Sequence, residues 1–358
     1  MPFFRGLTSK NLFSSASAVR RKKEKDCYLK NGSCVLEELL ALCDGNCRIP
    51  IRYFTAIEIH NSMKHSKTKM DLADMSMVTG LLGNRPLIVR PSSYKLLNFH
   101  RDIAVTAQMS HLKNVLRLVG CCLEFEDPFM VYEHVEGISL SSLLYKKFNR
   151  DDQTRKWLSW GNRLRVAREV ASAIVFLHTE FTTPIIHRNI TPHNVIIDEK
   201  SGVAKILNFS LSISLPPGEL EVQDEWVCGT LGYIAPEYEH QLIITQKTDV
   251  YSFGILLFQL LAGKDLYDIR AKVDLYHLLT NNSVDYYIKK DNVMDIADPI
   301  ILEEHGIEIQ QQLEDYLDLV KKCTALKGDD RPYMIHVARE LCRIERCYRA
   351  LTLALGQN

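Results

Sequence analysis

Polar side chains able to do chemistry crowd into a few short stretches of the second half of this chain. The densest is Ile186-His187-Arg188-Asn189-Ile190-Thr191-Pro192-His193-Asn194. Next come Lys205-Ile206-Leu207-Asn208-Phe209-Ser210 and Gly229-Thr230-Leu231-Gly232-Tyr233-Ile234-Ala235-Pro236-Glu237. Asp249-Val250-Tyr251-Ser252-Phe253-Gly254 and Asp330-Arg331-Pro332 complete the series. Asn189 and Asn208 put neutral amides into the first two of these stretches. An amide cannot take a proton, and losing a general base typically costs about 10²- to 10⁴-fold in rate. An amide oxygen is also a poorer partner than a carboxylate for a hard divalent cation. The tight cysteine set Cys34, Cys43 and Cys47 lacks the paired C-x2-C spacing and nearby His of a zinc site.

The elements that must position these residues read as an α+β, two-lobe plan. Residues 1–26 are rich in Ser, Lys and Arg and are expected to be disordered. Over 27–50 a helical extension is expected, with Ser33 as its cap and Leu36, Leu39, Leu40 and Cys43 on one face, closed by Gly45 and Pro50. A small β-rich lobe follows over 51–134, with strands at Leu87-Ile88-Val89, Val115–Cys122 and Phe129–Tyr132 and a helix at Phe99–Met109. From 135 to 348 helices dominate. Leu164, Ala167, Val170, Ala171, Ile174 and Leu177 form a 3.6-residue stripe between Trp157 and His178. Asp249–Leu261 is apolar all round and should be buried. Tyr316–Cys323 and Met334–Tyr348 are amphipathic, and 349–358 reads as a tail.

Composition narrows the function classes. The 358 residues carry 44 Lys plus Arg against 44 Asp plus Glu, so no global charge points to nucleic acid. No apolar run reaches the roughly 20 residues of a membrane helix. Met1-Pro2-Phe3-Phe4 has Pro where N-myristoylation needs Gly. The basic run Arg20-Arg21-Lys22-Lys23-Glu24-Lys25 allows at most peripheral contact with anionic lipid and reads first as a solvated face. The ten cysteines read as reduced packing residues. A cytoplasmic protein is expected, and a membrane-tethered receptor fragment lacks its span.

The motif series resembles that of protein kinases, in order: the catalytic loop H-R-D-x-K-P-x-N at His187–Asn194, D-F-G at Asn208-Phe209-Ser210, G-T-x-G-Y-x-x-P-E at Gly229–Glu237, and the late Arg331. The resemblance implies a bilobal protein-kinase-like fold and assigns roles. Asn189 stands where the catalytic Asp stands, Thr191 where the loop Lys stands, and Asn208 where the metal-binding Asp stands; Asn194, the second metal ligand, is kept. Arg90 stands for the strand Lys of V-A-I-K and Asp102 for its helix Glu, through a one-residue insertion near Leu112. Tyr132 would be the gatekeeper, with Glu133 and His134 as hinge. The stretch Met70–Thr79 stands for the Gly-rich loop, yet it has no glycine, and Asp71 and Asp74 would repel phosphate. His187, Glu237, Asp249 and Arg331 match architectural residues. ATP with Mg2+ is the cofactor of the family; the departures here imply that none is required.

Further phrases narrow the resemblance: Arg48-Ile49-Pro50-Ile51-Arg52-Tyr53-Phe54-Thr55, Arg101-Asp102-Ile103-Ala104-Val105, Leu118–Glu124, Ser212-Ile213-Ser214-Leu215-Pro216 and Glu225–Thr230. Together they resemble the plant ZED-related kinases, receptor-like cytoplasmic kinases rich in pseudokinases, over about Lys22 to Tyr348. That resemblance implies a catalytically impaired adaptor of innate immunity. Its partners would be a coiled-coil nucleotide-binding leucine-rich-repeat (NLR) receptor, other receptor-like cytoplasmic kinases and bacterial effectors. The alternative is a weak ATP-binding Ser/Thr kinase. The activation segment, Leu211 to Trp226, is expected to be an exposed loop with Pro216-Pro217-Gly218 and acidic Glu219, Glu221, Asp224 and Glu225.

Overall fold

Lys, Arg and Glu are good helix formers, and the charged run near the N-terminus is helical rather than disordered from Ala18 onward. The computed structural model describes residues 18–43, 51–64, 69–72, 75–92, 98–145, 158–266 and 292–355. Helix α1 (Ala18–Cys43) runs straight through Ser33, which therefore caps nothing. Arg20 donates to Glu24 one turn on at 2.9 Å, and the basic residues form the solvent side. The buried face of α1 is Val35, Leu39 and Leu42, while Leu36 and Leu40 are 55% and 50% exposed. Gly45 and Pro50, and residues 1–17, lie outside the described residues.

The small lobe is a six-stranded sheet, ordered β1-β5-β6-β4-β3-β2. Its strands are β1 (Arg52–Tyr53), β2 (Lys69–Leu72), β3 (Met75–Leu82), β4 (Arg85–Pro91), β5 (Leu118–Cys122) and β6 (Phe129–Glu133). All neighbours are antiparallel except β1, which lies parallel to β5. That edge pairing is why residue 120 is glycine: a Cβ there would sit 2.2 Å from the Arg52 carbonyl oxygen. Helix α2 (Ala56–Met63) follows β1 behind a capping box, Thr55 with Glu58. Helix α3 (Phe99–Met109), capped by the Asn98 side chain, packs between α1 and the sheet. Val115 makes only an isolated bridge to Ile206, so the strand is shorter than its apolar run.

The larger part is helical: α4 (Leu140–Tyr145), α5 (Trp160–Thr179), α6 (Pro236–Gln241), α7 (Gln246–Ala262), α8 (Val293–Ile296), α9 (Pro299–His305), α10 (Gln310–Cys323) and α11 (Met334–Leu355). α7 is buried on all sides from Thr248 to Ala262, as its apolar sequence demands. Gly254 lets α10 approach it, since a Cβ at 254 would lie 2.7 Å from the Cys323 side chain. α11 continues through Leu355, so most of the expected tail is helix. Small sheets join β7 (Gly137–Ser139), β9 (Val195–Asp198) and β10 (Ala204–Ile206), then β8 (Ile185–Ile186) with β11 (Ile213–Ser214), and β12 (Glu221–Gln223) with β13 (Ile243–Thr245). No described helix is long and apolar enough to cross a membrane. The nine described cysteines are free thiols, and burial pushes those of Cys121 and Cys122 up to about 12, so both stay neutral.

Candidate nucleotide cleft

Strand β4 carries Arg90 into the space between the lobes, where it is almost wholly buried. A buried guanidinium needs an acid and several acceptors. Asp102, on the first turn of α3, supplies the acid: Nη1 donates to its Oδ2 at 2.7 Å. Burial lowers the Arg90 pKa, and Asp102 together with Tyr132 more than offsets it, so the guanidinium stays charged. Nη2 donates to Oδ1 of Asn208 at 3.0 Å, and Nη1 reaches the Tyr132 hydroxyl at 3.4 Å. Tyr132 is itself fully buried, and its hydroxyl is held un-ionised by burial. Asp102 spends its other oxygen on the Phe209 amide at 2.9 Å and the Thr106 hydroxyl at 3.1 Å. The small-lobe helix is thereby fastened to the segment after Asn208.

The amides continue this network. Asn208, in the left-handed region at φ +70°, accepts from Ser210 Oγ at 2.7 Å as well as from Arg90, and donates to Asn194 Oδ1 at 3.2 Å. Asn194 Nδ2 donates to the Asn189 carbonyl at 2.8 Å. Asn189 Oδ1 accepts from Thr230 Oγ1 at 2.7 Å. Thr191 is buried beside Val170, Ile174 and Ile190. The phosphate-steadying Lys of the family thus has an inward, short counterpart. Glu133 pairs with Lys205 at 2.8 Å, and its amide donates to the Arg117 carbonyl at 3.0 Å; His134 is half-buried beside it. Of Met70–Thr79, residues 70–72 lie in β2 and 75–79 in the antiparallel β3; residues 73 and 74, Asp74 among them, lie outside the described residues.

Mg2+ does not fit this arrangement. Both amide oxygens that would face it already accept hydrogen bonds, and a permanent cation, Arg90, donates to one of them. A divalent ion would have to displace those donors and sit beside like charge.

The architectural residues are fully partnered. Asp249 accepts from the amides of His187 at 2.8 Å and Arg188 at 2.9 Å, and lies 3.0 Å from His178 Nε2. That grip holds Arg188 at φ +63°, a left-handed conformation that crowds the Cβ of any residue but glycine. The His187 ring packs on Phe209, centroids 5.1 Å apart, and burial lowers its pKa so that it stays neutral. Arg331 and Glu237 form a two-point pair at 2.7 and 2.8 Å, and Arg331 also donates to the carbonyls of Ala325, Leu326 and Lys247.

Two further residues act here without a local sequence signal. Arg101 donates to Glu38 of α1 at 3.2 Å, to Ser212 Oγ at 3.3 Å and to Ser214 Oγ at 2.6 Å. It joins the N-terminal helix, α3 and the start of the activation segment, so two of the phrases that mark the plant branch meet in one clamp. Asp224, expected in an exposed loop, is instead half-buried and paired with Arg188, because β12 is pinned against β13.

The protein kinase domain profile matches residues 90–342. Among curated proteins, the chain is 33% identical to the serine/threonine-protein kinase ZRK1 of Arabidopsis thaliana, covering 94% of this chain and 97% of that one. It is 35% identical to the non-functional pseudokinase ZED1 of the same plant, over 91% and 98%. A third relative, the non-functional pseudokinase ZRK2, is 32% identical over 95% and 97%. The chain belongs to the protein kinase family, within its ZED1-related (ZRK) branch of kinases and pseudokinases.

Proposed function

We propose that this protein is a catalytically inactive, kinase-shaped adaptor of plant innate immunity. It binds a coiled-coil NLR receptor and senses bacterial effectors or effector-modified cytoplasmic kinases, in the cytoplasm or at the plasma membrane through those partners. The observation that carries the inactive half of this reading is the saturation of Asn208 and Asn194 by Arg90, Ser210 and each other. A cleft whose metal-facing oxygens are already hydrogen-bonded has no charge deficit for Mg2+ to fill. Relatives named as non-functional or inactive support it. The adaptor half draws support from α1, which leaves Leu29, Leu36 and Leu40 about half exposed along one side of a helix anchored to α3. Exposed apolar stripes of this kind favour protein contacts.

Thermal melts with ATP, with and without Mg2+, test the first half: no metal-dependent rise is expected, and a clear rise accompanied by phosphate transfer lost in Asn189→Ala would reject it. Capture from plant tissue, with and without pathogen, tests the second. A leucine-rich-repeat receptor should come down with the chain and be lost on Leu36→Glu with Leu40→Glu; capture indifferent to those changes would reject α1 as the contact.

One observation favours a second reading, a weak Ser/Thr kinase. The Arg90–Asp102 pair and the His187–Phe209 stack are assembled as an active kinase would need them. The same melts decide between the two.

A further inference from the structure

In kinases whose activation segment is ordered by phosphorylation, the added phosphate docks on arginine. Here the Arg188 guanidinium is already engaged. Its Nε donates to the Leu211 carbonyl at 2.6 Å, and its Nη1 donates to Asp224 Oδ2 and to the Tyr238 hydroxyl, the latter at 3.0 Å. Tyr238 lies 3.3 Å from the same Asp224 oxygen, accepts from the Cys228 amide at 2.8 Å, and places its ring under the guanidinium. The Arg188 and Asp224 side chains are only 10% and 20% exposed, unlike a solvated surface pair.

We propose that Asp224 is the resident anion of the activation segment. Its carboxylate sits on Arg188 where a phosphorylated residue would dock, so this chain holds the segment ordered without modification. The assignment stands whether or not the protein transfers phosphate.

Three features carry it. First, the node joins four separate pieces of chain: the catalytic-type loop at 188, the post-Phe209 stretch at 211, the end of β12 at 224 and α6 at 238. Removing the acid takes away the bonds that tie residue 224 to Arg188 and Tyr238 and leaves the guanidinium without its counter-ion. Second, Asp224 is placed by backbone and not by chance: its amide donates to the Leu242 carbonyl at 3.0 Å at the end of the β12–β13 ladder. Third, a second guanidinium stands close by. Arg101 is near enough to Arg188 for its own pKa to be lowered, after burial, by that charge, and Glu38 is its counter-ion. Two arginines flank residues 211–214 and each has one acid. Without Asp224 the pair would hold one uncompensated positive charge, which is a seat for an oxyanion.

The test uses the full chain, shown by intact mass to carry no phosphate, and follows amide hydrogen exchange in peptides spanning 211–232. The wild-type segment should be protected. Asp224→Asn, which keeps shape and loses charge, should exchange faster by about tenfold or more there, with α7 peptides unchanged as a check on folding. Asp224→Ala should behave likewise and recover protection when millimolar inorganic phosphate is added. An unprotected segment in the unmodified wild type, wild-type protection in Asp224→Asn, or an Asp224→Ala segment that phosphate does not move would each overturn the assignment.

Discussion

Two buried arginines, each paired with an acid, do different work in this molecule. Arg331 meets Glu237 two-pronged and spends its remaining donors on three carbonyls; it only joins pieces of the large lobe. Arg90 meets Asp102 and then reaches across to Asn208, an atom that in an active kinase would face a metal. The first pair retains the family's architecture, and the second replaces its chemistry. On the proposed inactive reading this fold does without a metal, while Arg90 still ties β4 to α3 and to Asn208. Asn208 suits a guanidinium because its amide oxygen accepts an N–H without adding the negative charge that Mg2+ would require.

Substitutions that break each half should differ in kind. Arg331→Ala leaves Glu237 and three carbonyls without their donor, and should cost about 3–5 kcal/mol of unfolding free energy by chemical denaturation. It should do so whether or not nucleotide is present. If the cleft is as described, converting it should instead create a ligand response. Arg90→Lys, Asn208→Asp and Asn189→Asp combined should restore Mg–ATP binding, worth about 2.7 kcal/mol of added stability at a hundredfold excess over Kd. A triple variant blind to Mg–ATP would show that the glycine-free stretch Met70–Thr79, and not the charges, closes the cleft.

Arg101→Ala sharpens the comparison from the small-lobe side. It unties α1 and Ser212–Ser214 from α3 and should cost about 2–3 kcal/mol, because Glu38 keeps some access to water. Thr55→Ala removes the capping box of α2, outside both regions, and should cost about 1 kcal/mol.

The smallest effect near neutral pH concerns His187. Burial holds its folded pKa below the ordinary imidazole value of about 6.5. A depressed value means that stability is fully present above about pH 6.5. Below it the unfolded chain takes up a proton that the folded chain refuses, and stability falls until the folded imidazole titrates. Melting temperature should thus drop from pH 7.5 to 5.5, with a shallower drop in His187→Asn. An unchanged slope in that variant would place the acid sensitivity elsewhere, the half-buried His100 being another imidazole with a lowered pKa.

How much of this was legible in the sequence depends on how local each signal is. Helix α3 spans the expected Phe99–Met109, and α7 is buried as its uninterrupted apolar run requires. The register of α1 was not legible. Val35, Leu36, Leu39, Leu40 and Leu42 cover more than one face, so the pattern does not choose between them. The choice is made by Asn31, whose side chain donates to the carbonyls of Leu123 and Phe125, 92 and 94 residues away. The T-x-x-E box at Thr55–Glu58 was a readable sign of α2 hidden in a mixed stretch. At the cleft, Asn189, Asn194 and Asn208 stand out because their types conflict with a known pattern, and Arg90 and Asp102 do meet at 2.7 Å. That Arg90 would donate to Asn208, or Asp224 to anchor Arg188, depends on contacts 118 and 36 residues apart, which no local pattern encodes.

The central claim is that an internal guanidinium has taken the place of the metal. Mn2+, a paramagnetic stand-in for Mg2+, can be titrated into the purified wild-type chain with ATP present, while the free-ion spin-resonance signal is read. The account predicts that the signal follows that of Mn2+ with ATP alone at every protein concentration. Saturable loss of signal at one Mn2+ per chain, abolished by Asn208→Ala, would contradict it.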